Sequence, residues 1–158
     1  MVKRNWKVYA FWVVLCELVG IVSGLLSREG IAIYNVSVAK PPFTPPAWVF
    51  PVVWTILFAL MGVSAARVSL SERSKARSWG LNTFIAQLAV NFFWPLFFFN
   101  LQAFGFAFVW LLLLWVFVAI TIRQFWKVDQ TAAWLLVPYL AWLTFAAVLN
   151  AAVWLMNP

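Results

Sequence analysis

Hydrophobic positions along this chain run in blocks rather than in stripes. Five blocks, at roughly 6–26, 46–69, 79–100, 103–125 and 131–156, carry so little polarity that no solvent-facing side can be drawn on the helices they would form. About 20 apolar residues suffice for an α-helix to cross the hydrocarbon layer of a membrane, and a helix satisfies its own backbone where no water is available. The pattern therefore predicts an all-α integral membrane protein, a bundle of five transmembrane helices forming one domain over residues 1–158. Only "NLQAFG" separates the third and fourth spans, a tight hairpin ending at Gly105. Between the first and second, by contrast, residues 27–46 form a long proline-rich loop without a sustained apolar or amphipathic stretch.

That connection runs into "AKPPFTPPAWVFP", residues 39–51, which holds five of the chain's eight prolines. Proline fixes its own φ and biases its predecessor toward extended geometry, so the segment is a stiff strap and not a slack tether. Long connections in compact domains are commonly lids or binding loops. The expectation is a semi-rigid flap over the outer mouth of the bundle, with Tyr34, Phe43 and Trp48 as aromatic faces; such a flap loses less entropy when it closes on a ligand. Locally, Thr44 is expected to cap the second helix with Pro45 and Pro46 in its first turn, and Pro51 to bend that helix near its outer end.

Composition fits the same class: 66% of residues are hydrophobic and 9% charged, too little charge to cover a soluble domain. The formal charge of +7 is unevenly placed. Along an up-and-down path, Lys3, Arg4, Lys7, Arg67, Arg73, Lys75, Arg77, Arg123 and Lys127 fall on one side, and only Arg28 and Lys40 on the other. The positive-inside rule then puts the N-terminus in the cytoplasm and the C-terminus outside. Charge is thus a topology signal, with contact to anionic lipid as its consequence; no nucleic-acid partner is expected, because no basic recognition element presents these residues. With no histidine and a single cysteine, Cys16, the chain offers neither an intrachain disulfide nor a set of ligands for a metal or a His-ligated haem. The first apolar run lacks a small-x-small cleavage site and is expected as a retained helix, not a signal peptide. It carries Glu17, a lone intramembrane acid that is either functional or a protonated donor to a neighbouring carbonyl.

Tryptophan is the most informative residue type. Trp6, Trp48, Trp79, Trp126, Trp134 and Trp154 lie near span ends and read as an interfacial belt. Trp12, Trp54, Trp94, Trp110, Trp115 and Trp142 fall within spans, where the indole N–H finds no partner in lipid and must turn to other helices or a cavity. In the third span Gln87, Asn91, Trp94 and Phe98 recur at i, i+4, i+7 and i+11, one helix face. Trp142, Ala146, Leu149, Asn150 and Val153 do the same in the fifth span, and Phe50, Trp54, Leu57 and Met61 in the second. Two readings stand for these faces. They are interhelical packing with amide hydrogen bonds, or they line a flat apolar slot suited to a planar polycycle, with small Ala146 beside Trp142 leaving room. Gly20 with Gly24, and Ala147 with Ala151, allow close helix approach within the chain or across a dimer.

The blocks "REGIAIYNVSVAKPPFTPPAWVFPVVWTILFALMG", "QLAVNFFWPLFFF" and "VPYLAWLTFAAVLNAAVW" resemble the translocator protein family, the tryptophan-rich sensory proteins once called peripheral benzodiazepine receptors, over nearly the whole chain. The resemblance implies a five-helix bundle, commonly dimeric, whose pocket opens toward the first loop and takes porphyrins, sterols and synthetic isoquinoline-carboxamide or benzodiazepine ligands. By motif position the pocket would use Trp54, Gln87, Asn91, Trp94, Trp142, Ala146 and Leu149, with Phe98 on the same face, and the lid would use Tyr34, Pro41, Pro42, Pro46 and Trp48. The chain departs from the family pattern at Ile33 and Phe43, where tryptophan is frequent, and at Ala151, Ala152 and Leu155, where animal members carry a sterol motif. Sterol binding at the last helix is therefore not expected, and a bacterial source is.

The function expected is a membrane binding or sensing protein for porphyrins, protoporphyrin IX or haem-like, and related hydrophobic polycycles, tied to tetrapyrrole stress and needing no cofactor. An alternative is light- and oxygen-dependent porphyrin breakdown, with Trp54 and Trp142 exchanging electrons with the excited ligand; no conventional acid, base or nucleophile constellation is present. A further alternative is a small-molecule or sterol transporter, although no inverted repeat is evident. The expected partners are membrane lipid, a hydrophobic ligand and a second copy of the chain. The expected location is the bacterial cytoplasmic membrane, with the mitochondrial outer membrane as the alternative.

Overall fold

A computed structural model describes residues 2–158, with side chains from Asn5 onward. Lys3 and Arg4, which contribute to the expected basic excess, lie outside the described side chains. The chain is an all-helical integral membrane protein with five candidate spans: Asn5–Leu26, Val49–Ser69, Lys75–Asn100, Phe104–Trp126 and Gln130–Met156. Its helices are α1 (Val2–Leu26), α2 (Arg28–Ser37), α3 (Val49–Ser69), α4 (Lys75–Pro95), α5 (Phe104–Trp126), α6 (Gln130–Leu135) and α7 (Val137–Met156), with a π-helical turn at Leu96–Asn100.

The spans close into a ring. Helix α1 packs on α3 and α4, α4 on α5, α5 on α6 and α7, and α6 back on α3. Met61, Phe84, Leu111, Val118, Phe125 and Leu143 fill the centre. Lipid tails are as apolar as these side chains, so fit and interhelical hydrogen bonds hold the bundle rather than expulsion from water. The tightest fit joins α1 to α3: a side chain at Gly62 would strike the backbone of Val13, and Gly20 lies against the Phe58 ring. Gly24 faces open space, so only half of the GxxxG pair is used inside the chain.

Three expectations about the backbone are corrected. Residues 27–46 are not all loop, because 28–37 form α2; Glu29 sits in its first turn, favourable to the helix dipole, and Gly30, Tyr34 and Val38 make one buried stripe at i, i+4 and i+8. The second span begins at Val49, not at 46, and Thr44 does not cap it. Instead the Thr44 N–H and hydroxyl both donate to the Pro41 carbonyl, at 3.1 and 2.7 Å, closing a turn over Pro41–Thr44. Pro51 consequently falls in the first turn of α3, where its missing N–H had no partner to lose.

Proline does shape two other segments, one at the strap end and one near the opposite end. Without an N–H, Pro95 cannot bond the Asn91 carbonyl, and the chain widens into the π turn closed by Leu101 N–H to Leu96 O at 3.1 Å. Pro138 likewise leaves the carbonyl four residues back without its bond, and the fifth span divides into α6 and α7 at Leu136.

Candidate functional site

Close backbone approach between α3 and the fifth span falls on α6. Farther out, aromatic rings bridge α3 and α7. Phe50 meets Trp142 with centroids 5.9 Å apart, Trp142 meets Phe145 at 5.4 Å, and Phe43 from the strap's turn reaches Phe145 at 6.4 Å. One turn deeper, Trp54 packs edge-on to Tyr139 at 6.1 Å and beside Phe58 at 5.6 Å. The rings touch one another, so this cleft is closed. Two surface grooves lie elsewhere, about 620 Å³ between Arg73 and Trp79 at the end opposite the strap and about 370 Å³ along Ala10 to Leu18 of α1; neither includes a residue expected at the site.

The floor of the cleft is a chain of polar groups. Asn91 Nδ2 donates to the Tyr139 hydroxyl at 2.6 Å, the hydroxyl donates to Gln87 Oε1 at 2.7 Å, and Gln87 Nε2 points at Met61 Sδ, 3.9 Å away. All three polar residues are buried. A second link runs beside it: Trp94 Nε1 donates to Asn150 Oδ1 at 3.2 Å, and Asn150 Nδ2 donates to the Phe104 carbonyl at 2.9 Å. Trp94 also stacks on Phe98 at 4.9 Å. The amide faces read from the sequence thus converge inside the bundle, where they bond to each other's helices.

The mid-span indoles separate sharply. Trp12 donates to Ser69 Oγ, Trp94 to Asn150, Trp110 to the Val90 carbonyl and Trp115 to Thr144 Oγ1. Trp142 Nε1 is buried and has no partner. Trp54 also makes no indole hydrogen bond, but only the Trp142 donor is fully buried; an unpaired buried donor is costly, so an incoming acceptor would be gained outright there. Meanwhile the six tryptophans at span ends are all exposed, from 44% at Trp126 and Trp154 to 69% at Trp48, as a lipid–water belt requires.

Above the cleft the strap is ordered by local bonds. Lys40 Nζ donates to the Val38 and Asn35 carbonyls at 2.9 and 3.2 Å, ending α2, and stands 4.8 Å from the Tyr34 ring centroid. Tyr34 does not face the cleft. It is buried against Phe98 and Phe99 of the π turn, at 5.4 and 5.1 Å, and burial pushes its phenol up to about 12. Pro41 is buried in the strap; Pro42, Pro46 and Trp48 are exposed. Ala146 and Leu149 follow Trp142 on α7 toward the strap end, half-buried and buried. Of the expected residues, the structure therefore groups Trp54, Trp142 and Ala146 with the cleft and Gln87 and Asn91 with its floor, and it sets Tyr34 and Trp48 apart.

Sequence reasoning missed Tyr139, which ties the two amides together, and Phe145, the ring between Trp142 and Phe43. Tyr139 shares a face with Trp142 and Ala146 at i, i+3 and i+7, and a tyrosine in mid-span needs a partner; that signal was present. Phe145 follows no periodicity that separates it from lipid-facing phenylalanines.

A ring of five spans with an aromatic cleft at one end defines a five-helix integral membrane protein, and no cluster of metal-ligating side chains occurs among its described residues. The TspO/MBR family model matches residues 12–155. Protein CrtK of Rhodobacter capsulatus is 39% identical over 151 residues, covering 95% of this chain and 92% of that one. The human translocator protein is 38% identical over 137 residues, 85% and 80% of the two chains, and the tryptophan-rich sensory protein of Cereibacter sphaeroides 34% over 148, 94% and 90%. The chain belongs to the TspO/MBR family.

Proposed function

We propose that this protein binds flat hydrophobic polycycles, porphyrins such as protoporphyrin IX first among them, in the outer cleft between α3 and α7, and that it acts as a membrane sensor of them. One observation carries the reading: Trp142 Nε1 is buried without a partner in a bundle where Trp12, Trp94, Trp110 and Trp115 have each found one. A ligand with an aromatic plane and a carboxylate or carbonyl at its edge supplies what is missing, the plane against Phe50, Trp54 and Phe145 and the oxygen to the indole. Family membership supports the same choice, since one relative bears the name tryptophan-rich sensory protein. The basic residues gather at the end opposite the strap, which supports an N-terminus in the cytoplasm, a strap and C-terminus outside, and residence in a bacterial cytoplasmic membrane. The broad lipid-facing surface of α1 supports a homodimer.

Titration of the purified protein with protoporphyrin IX, followed by tryptophan fluorescence, tests the reading. Trp142→Phe is expected to weaken binding about tenfold, the worth of one hydrogen bond in a dry site. Its thermal midpoint should stay level, because the lost donor had no partner in the free protein. Absence of quenching, or equal affinity in the variant, counts against the proposal; Trp154→Phe at the lipid boundary is the control.

A further inference from the structure

One side chain fastens the strap to the helix it covers. Asn157 follows the end of α7; its Oδ1 accepts from the Ala39 N–H at 3.2 Å and its Nδ2 donates to the Ala39 carbonyl at 2.9 Å. A single carboxamide thus satisfies both backbone groups of a residue 118 positions away. The same Nδ2 donates to the Val153 carbonyl at 2.8 Å, which orients the amide on the last turn of α7. Other bonds near the strap keep its shape without attaching it: Lys40 closes the end of α2, and Thr44 closes the Pro41–Thr44 turn.

We infer that Asn157 is a latch, a positioning residue that holds the strap shut over the Phe50–Trp142–Phe145 cluster and so sets how fast ligand enters and leaves the cleft. The second half of this statement rests on the proposed ligand reading; the first half does not. Trp142 Nε1 is buried between Phe50 and Phe145, so a ligand reaches it only when these rings move, and Phe43 of the strap rests on Phe145. A proline-stiffened strap does not peel residue by residue but swings as a unit, so its opening is controlled by its fastening. Where binding requires a minor open state, both association and release scale with how often that state is reached. The ligand would touch Trp142 and not Asn157, so loss of the latch changes both rates alike and leaves their ratio nearly constant.

Asn157→Ala removes both bonds to Ala39. Asn157→Asp keeps the acceptor for the Ala39 N–H and loses the donor to its carbonyl. The first readout needs no ligand: amide hydrogen exchange of residues 38–44 in lipid nanodiscs should rise roughly tenfold in the Ala variant, as two partly solvated hydrogen bonds allow, and less in the Asp variant, with α3 to α5 unchanged. The second is stopped-flow quenching by protoporphyrin IX, in which association and release should both quicken by a similar factor. Unchanged exchange in the strap overturns the latch. Faster exchange with unaltered porphyrin kinetics overturns the gating role. If the parent protein shows no quenching at all, the porphyrin reading fails and exchange alone still decides the latch.

Discussion

At the end opposite the strap, charged and polar groups lock four of the five spans. Arg67 Nε of α3 meets Asp129 Oδ2 at 3.1 Å, and Asp129 Oδ1 also accepts from the Ala132 N–H at 3.2 Å, capping α6. Ser64 Oγ donates to the Ala132 carbonyl at 2.7 Å, the Arg77 guanidinium donates to the Val68 and Ser69 carbonyls that end α3, and Trp12 of α1 donates to Ser69 Oγ. At the strap end α3 and α7 meet through ring edges, under a strap bonded to Asn157. Hydrogen bonds accept one geometry, whereas ring contacts re-form in several at little cost. A base held by hydrogen bonds and a mouth held by ring contacts is the division that the proposed site for a flat ligand needs.

The comparison is most exposed at the boundary between the two halves, where Tyr139 joins α7 to α4. Tyr139→Phe leaves Asn91 and Gln87 buried with unpaired groups and should cost about 2–3 kcal/mol, the toll of orphaning two polar groups in a dry interior. A thermal midpoint unmoved by this change would place the rigid base elsewhere. Asp129→Ala is expected next, at about 1–2 kcal/mol, chiefly from the lost helix cap because the Arg67 pair is partly solvated. The mouth should behave differently: Phe43→Ala, an exposed ring meeting one neighbour, should change the midpoint by less than about 0.5 kcal/mol while speeding porphyrin release. A large loss of stability from Phe43→Ala would erase the distinction between the ends.

The boundary at Gln87 and Asn91 was legible in the sequence, whereas the base contacts Arg67–Asp129 and Ser64–Ala132 were not, because they join residues 62 and 68 positions apart. Helical spacing put Gln87 and Asn91 on one face, and the need of an intramembrane amide for a partner placed that face inward. The mouth was less so, for physical reasons. Helix α2 is short and its stripe of Gly30, Tyr34 and Val38 includes a glycine, so hydropathy alone shows no helix; it forms because the π turn offers Phe98 and Phe99 to receive Tyr34. The π turn itself follows from Pro95, whose effect on the next five residues depends on what packs there. Thr44 looked like a helix cap because a threonine before two prolines fits that role, yet the carbonyl of Pro41 lay within its reach first. Whether a mid-span indole finds a partner is a question of three-dimensional neighbours, and spacing within one helix could not tell Trp142 from Trp115.

The smallest effect concerns Tyr34, and it asks whether α2 belongs to the base or to the mouth. Its phenol is raised by burial from 10 to about 12. An acid whose folded value exceeds its unfolded one contributes stability that is complete below the unfolded value, here about pH 10, and is lost as pH climbs through the folded value near 12. The facing groups are the Lys40 ammonium, 4.8 Å from the ring centroid, and the neutral rings of Phe98 and Phe99. Tyr34→Phe keeps the ring packing and removes the titration, so the variant should match the parent at pH 8 and lose less stability between pH 10 and 12. Thermal midpoints of both proteins across that range decide it. If the two curves fall in parallel, the docking of α2 on the π turn does not contribute to global stability, and α2 moves with the strap; if they diverge, α2 is part of the frame and the latch at Asn157 acts on residues 38–48 alone.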